Sequence, residues 1–270
     1  MRINNNVAAF NAYRNLSATQ GQLGKSLEKL SSGFRINRAA DDAAGLVKSE
    51  GLRAEIKGTQ QAVKNAQDGV SFVQTAEGAL NEVHSILQRM RELAVSAANT
   101  ATSDGAAEQQ EIAQLRDELT AIGDRTTFAG EDVFADYSTD NLVFHVGAGA
   151  GETLSINSDL GLAAGDVFGE DLSTLDVSTD ADGAIGAIDD AIDAVSTTRS
   201  ELGATQNRLE HTISNLQVAA ENLQASESRI RDADMAEEMV SFTRNQILQQ
   251  AGTAMLAQAN QVPQSVLSLL

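Results

Sequence analysis

Three histidines, His84, His145 and His211, are the only imidazoles in a chain that has no cysteine. A metal centre needs ligands that converge, and no His-x-x-x-His spacing or thiolate is present to supply them. The three are therefore expected to be structural or exposed. The pairs Asp41-Asp42 and Asp189-Asp190 have the composition of an acid–base or calcium site. Both fall at expected helix starts, where carboxylates cap free N–H groups and offset the helix dipole. Gly147, Gly149 and Gly151 have the look of a phosphate-cradling loop, but the Lys-Ser/Thr that would complete it does not follow. No catalytic residue, metal ion or cofactor is expected, and the chain is not read as an enzyme.

Composition says what the residues must build instead. Of 270 residues 42% are apolar, with one proline (Pro263), two tyrosines and no tryptophan. A sandwich or barrel needs turn breakers and bulky inward side chains, so long helices are the expected elements. The net charge of −19 argues against a nucleic-acid partner, whose phosphates are held by clustered Lys and Arg. The charge is also uneven, at +5 over residues 1–64 and −15 over residues 126–198. The acidic middle is expected to face solvent.

A coiled-coil seam is written near the carboxyl end. With Ile185 at position a, the d positions are Ile188, Val195, Leu202, Leu209, Leu216, Leu223 and Ile230, all apolar. Arg199, Gln206 and Glu227 loosen the a positions. Residues 52–97 carry two apolar stripes, one through Leu52, Ile56, Val63, Val70, Val73, Leu80 and Leu87. The other runs through Ala76, Val83, Ile86, Met90, Leu93 and Ala97. Two stripes mean neighbours on two sides. A third helix through Ile112, Leu115, Leu119 and Ile122 supplies one of them, with Asp104 as its expected N-cap. The result is a mainly α fold: a long antiparallel helical coiled-coil rod.

Residues 142–156 alternate as a β-hairpin around the Gly147–Gly151 loop, and residues 159–184 are expected to form a surface excursion. Both chain ends carry an apolar face. At the amino end it comprises Ile3, Val7, Phe10, Leu23, Leu27 and Leu30, and at the carboxyl end Leu248, Met255, Val262, Val266 and Leu269, with Gly252 in a vacant slot. Pro263 is expected to disturb the last helix near Ala259. Met235, Met239 and Phe242 form a further stripe, expected to serve helix packing and chaperone capture. These terminal helices lack partners within one chain and are expected to stay disordered until they pack in an assembly.

The amino terminus has no apolar signal region, and no run of about 18 apolar residues could cross a bilayer. Taken alone, this points to the cytoplasm, unless a specialised export route acts. The Asn15-Leu16-Ser17 sequon is discounted because it lies on a packing helix. Exposed Ser and Thr between 153 and 180 are better placed for O-linked sugar.

Several blocks resemble bacterial flagellin in the right order. They include Met-Arg-Ile-Asn-Asn-Asn at 1–6, Leu-Ser-Ser-Gly-Phe-Arg-Ile-Asn at 30–37 and Gln-Arg-Met-Arg-Glu-Leu-Ala-Val at 88–95. The carboxyl end adds Ser-Glu-Ser-Arg-Ile-Arg-Asp-Ala-Asp-Met-Ala at 226–236 and Ala-Asn-Gln-Val-Pro-Gln-Ser-Val-Leu-Ser-Leu-Leu at 259–270. The resemblance implies a short flagellin without outer domains. Residues 1–42 and 232–270 would pair as the inner helices of the assembled filament, and residues 43–180 and 181–231 would form the next layer.

It further implies a homopolymer exported unfolded through the flagellar apparatus, held beforehand by an export chaperone and met in the extracellular filament by hook-associated junction and cap proteins. No cysteine and one proline suit that route, since nothing crosslinks and little isomerises. By the same resemblance Arg89, Leu93 and Glu111 would form an axial assembly surface that a host Toll-like receptor reads on free subunits. A metalloprotease motif, found in some flagellins, is absent. No membrane partner is implied. The hook–filament junction protein and an intracellular coiled-coil adaptor are the alternatives.

Overall fold

In the computed structural model, residues 6–99, 105–134, 142–156 and 176–267 are described, the side chains of Ile156 and of residues 262–267 excepted. Five helices dominate: α1 (Val7–Ser32), α2 (Ala43–Ala97), α3 (Ala106–Arg125), α4 (Ala181–Arg231) and α5 (Met235–Leu267). Two small antiparallel hairpins lie between α3 and α4. They are β1 (Thr127–Phe128) with β2 (Glu131–Asp132), and β3 (Leu142–His145) with β4 (Thr153–Ile156). The fold is mainly α, as the periodicity requires.

The chain divides into two compact units, unit 1 from Met1–Glu55 with Asn222–Leu270, and unit 2 from Ile56–Glu221. Unit 2 holds the continuous core. Val73, Leu80, Leu87 and Met90 of α2 meet Ile112 and Leu119 of α3 and Ile188, Val195, Leu202 and Leu209 of α4, all essentially excluded from water. Each such side chain contributes about 1.5–3 kcal/mol of transfer free energy. Arg91 pairs with Asp189 while Gly69 abuts Leu209, so α2 and α4 run antiparallel here. The seam is not uniform along its length. Its first four d residues are buried, whereas Leu216, Leu223 and Ile230 are half-buried. Polar a positions account for part of this, since Glu227 turns to Arg53 at 3.7 Å.

The β3–β4 hairpin forms where it was expected, with Leu142 opposite Ile156 and Phe144 opposite Leu154. The β1–β2 hairpin escapes sequence reading because its strands are two residues long. Its turn is Ala129-Gly130, both at positive φ (55° and 92°), the twist that a two-residue hairpin prefers. Phe72 ties both hairpins to α2. Its ring meets Phe128 edge-on at 5.8 Å and Phe144 at 6.0 Å.

Three expectations about helix ends need correction. The N-cap of α3 is Gly105, with no side-chain cap bond, and Asp104 lies outside the described residues. The α4 helix begins at Ala181, and Asp180 caps it by accepting the Gly183 N–H at 2.9 Å. Asp189-Asp190 is therefore two turns inside the helix, where Asp189 serves as the partner of Arg91. Finally, α5 runs through Pro263 to Leu267 without a break near Ala259. Most of the 159–184 excursion lies outside the described residues. Its end is pinned, with Val177 buried and its N–H donated to Gln109 Oε1 at 2.9 Å.

Candidate assembly surface

In unit 1, α1 and α5 pack against each other, so the terminal helices do have a partner within one chain. Asn6 opens α1 as its N-cap, accepting the Ala9 N–H at 3.1 Å. The same side chain donates from Nδ2 to the Ala259 carbonyl at 2.7 Å. Ala259 is the residue that Pro263, lacking an N–H, leaves without its i+4 donor. Asn6 thus satisfies the carbonyl that proline frees, which is a physical reason that α5 continues past this point. Leu16 fills the slot left by Gly252, where an added Cβ would lie 3.2 Å from Leu16 Cδ1.

Two helices alone cannot cover each other on all sides. Val7 and Phe10 are each 66% exposed and Met255 is 64% exposed. Leu27 and Leu248 are also exposed, and Leu23 and Leu30 are half-buried. Ile3 and Leu269 lie outside the described residues, as do the side chains of Val262 and Val266. Tyr13, Met235, Met239, Val240 and Ile247 add to the exposed apolar surface, while Phe242 is half-buried.

A joint closes unit 1 beside these helices. Gly33 ends α1 at φ 76°, a left-handed C-cap whose N–H reaches the Lys29 carbonyl. The chain then bridges Phe34 to Asp232, with Arg35 N–H on the Arg231 carbonyl (2.7 Å) and Ala233 N–H on the Gly33 carbonyl (2.9 Å). Arg231 is the centre: nine-tenths buried, 5.0 Å over the Phe34 ring and 2.6 Å from Glu50 Oε1. Phe34, Arg35 and Arg231 entered the sequence analysis only inside blocks that resemble the family, and Glu50 not at all. The one local signal was Gly33 ending an apolar face. Asp42 caps α2 through the Gly45 N–H at 2.9 Å, as its position predicts. Asp41 accepts from the backbone N–H groups of Arg38 and Asn37, and the Arg38 bond foremost holds its carboxyl below the usual range.

In unit 2 the residues expected to form a surface separate. Arg89 is exposed and bonds Glu111 Oε1 (Nε at 3.0 Å) and Glu92 Oε2 (3.2 Å), which raise its pKa, Glu111 first. Leu93, four residues on, is 7% exposed and belongs to the core. It turns inward because the second α2 stripe packs there, so only Arg89 and Glu111 are available to a partner.

The remaining chemical candidates have structural places. His84 meets Gln88 at 2.9 Å, His145 Nδ1 lies 3.1 Å from the Gly147 carbonyl, and His211 is exposed. The Gly147–Gly151 loop is occupied by its own chain. Glu152 accepts the Gly149 N–H at 3.0 Å, where a phosphate loop would present free amides. The loop rests on α2 at Gly58, where an added Cβ would lie 3.0 Å from Ala148.

Comparison with known proteins bears on the whole chain. The bacterial flagellin N-terminal helical region matches residues 3–139, and the bacterial flagellin C-terminal helical region matches residues 185–270. Flagellin of Halalkalibacterium halodurans is 54% identical over 275 residues, and flagellin of Bacillus subtilis 50% identical over 303, with both chains covered in full each time. A solved chain from Vibrio parahaemolyticus assigned to the flagellar hook-associated proteins is 17% identical, with a TM-score of 0.56 over 71% of this chain and 100% of that one, a likeness of fold alone. Two helical-region matches and full-length identity to flagellins agree: the chain belongs to the bacterial flagellins, a structural-protein family, and is a structural subunit of the flagellar filament.

Proposed function

We propose that the exposed apolar faces of α1 and α5 are the surfaces through which copies of this chain polymerise. Residues 1–42 and 232–270 pair as the inner layer of the filament, and 43–180 with 181–231 make the layer outside it. The observation that carries this is the exposure of Val7, Phe10, Ile247 and Met255 on helices that already have one partner. Water contact with so many large apolar groups favours burial against further copies. The subunit travels unfolded through the flagellar export apparatus, is held beforehand by an export chaperone on its carboxyl-terminal region, and folds at the filament tip outside the cell. Junction and cap proteins associated with the hook bound the polymer at its ends. Arg89 and Glu111 serve an axial contact between subunits, and a Toll-like receptor in a host reads that contact on free subunits.

Negative-stain electron microscopy of the purified chain, seeded or salted out, tests the polymer. Long uniform filaments are expected from the full chain and none from a chain lacking either terminal segment. Short caps or persistent monomers under every condition would favour the junction protein or an adaptor.

A further inference from the structure

A cavity of about 320 Å3 lies between α1 and α5, and its lining is cationic. Lys25 and Lys29 of α1 and Arg244 of α5 face one acid, Glu238, which is 3.7 Å from Lys29. Among the described residues neither Lys25 nor Arg244 has a carboxylate within ion-pair distance, although Asp41 acts on Lys25 and Lys29 at longer range. Ser26 and Asn245 line the same cavity and are 5% and 9% exposed. A hydroxyl and an amide beside these cations can donate to an acceptor that enters the cavity, as polar groups require once an assembly covers them.

The surroundings indicate which acceptor. Val240, Ile247 and Leu248 neighbour Arg244 at helical spacing and are exposed. Any assembly that covers them covers Arg244 too, and burying unpaired cations is strongly unfavourable. A subunit with 38 acidic residues against 19 basic ones has carboxylates to deliver as it docks, whereas a free anion would have to be captured separately. We propose that this cavity receives an Asp or Glu side chain from a second copy of the chain, which pairs with Lys25 and Arg244 and accepts hydrogen bonds from Ser26 and Asn245. The assignment rests on the reading that α1 and α5 faces are buried between subunits.

Carbodiimide coupling of filaments grown from mixed 15N-labelled and unlabelled full-length chains tests it, since the reagent joins a lysine to a touching carboxylate. Mass spectrometry should find isotope-mixed links from Lys25 or Lys29 to an acidic residue in filaments and not in free chains. The intrachain Lys29–Glu238 link is the internal control. A Lys25→Gln/Arg244→Gln variant with native helicity by circular dichroism should need about a tenfold or greater critical concentration. Filaments giving only the intrachain link, or a variant with the native critical concentration, would overturn the assignment. Failure of the native chain to form filaments would instead remove the polymer reading beneath it.

Discussion

Leu80, Val83, Leu87, Ile188 and Val195 of unit 2 are shut away from water, whereas Val7, Phe10, Ile247 and Met255 of unit 1 keep 60–66% of their surface exposed. Both regions are built from long helices with apolar stripes. They differ in layers. Unit 2 adds α3 and two hairpins to its helix pair, with Phe72 anchoring both hairpins, and so closes a core. Unit 1 has the α1–α5 pair and a polar joint, where Leu16 and Ile36 are the buried apolar side chains among the described residues. An apolar stripe establishes that a face will be covered; it does not say whether by the same chain or by another copy. In this chain one unit folds for itself and the other folds toward neighbours.

That contrast can be broken in several ways. Deleting residues 1–42 or 232–270 should abolish polymerisation while residues 56–221 keep a cooperative melt, and filaments from either truncated chain would contradict the division. Phe72→Ala should cost unit 2 about 3–5 kcal/mol, and Leu202→Ala about 2–5 kcal/mol, in denaturant unfolding of the free chain. Val7→Ala or Met255→Ala should leave that transition in place and raise the critical concentration for assembly. A finer cut is Asn6→Asp, which keeps the cap oxygen and loses the donor to Ala259. It should speed amide exchange around Pro263 while the first turn of α1 stays protected, whereas Asn6→Ala should also remove the cap, about 1 kcal/mol. Arg89→Ala should leave unit 2 stability within the scatter of a melt, because the pairs to Glu111 and Glu92 are solvent-screened. Its effect should fall on assembly and on receptor signalling, and a variant normal in both would strip Arg89 of its proposed role.

The smallest effect is in acid, and it should treat both units alike. Asp41 in unit 1 and Asp176 in unit 2, the latter chiefly through the Ser178 hydroxyl, are held below the usual carboxylate range. A lowered folded pKa adds stability above the ordinary value that is lost as pH falls through the folded one. Both turns should therefore hold at neutral pH and loosen only below the usual aspartate range. Carboxyl NMR titration checks this, and an ordinary midpoint for either would contradict it.

How legible the chain was follows the range of the interactions. Heptads at Ile188, Val195, Leu202 and Leu209 and the alternation of Leu142 and Phe144 are local patterns, and the structure has them where they were expected. Leu93 stood both in an apolar stripe by spacing and beside Arg89 on a surface by resemblance, and the structure follows the stripe. The Asn6–Ala259 bond spans 253 residues and the Arg231–Glu50 pair 181. Each half looks ordinary alone, an N-cap, a proline, an arginine at a helix end, and only folding makes them one feature. The cavity at Lys25 and Arg244 escaped notice for the same reason.

Hydrogen–deuterium exchange of the free chain and of its polymer tests the central claim most directly. The account predicts that amides of α1 and α5 exchange quickly in the free chain and become protected on polymerisation, while those of α2, α3 and α4 within residues 56–221 are protected in both. Terminal helices already as protected as unit 2 in the free chain, or unchanged in the polymer, would contradict it.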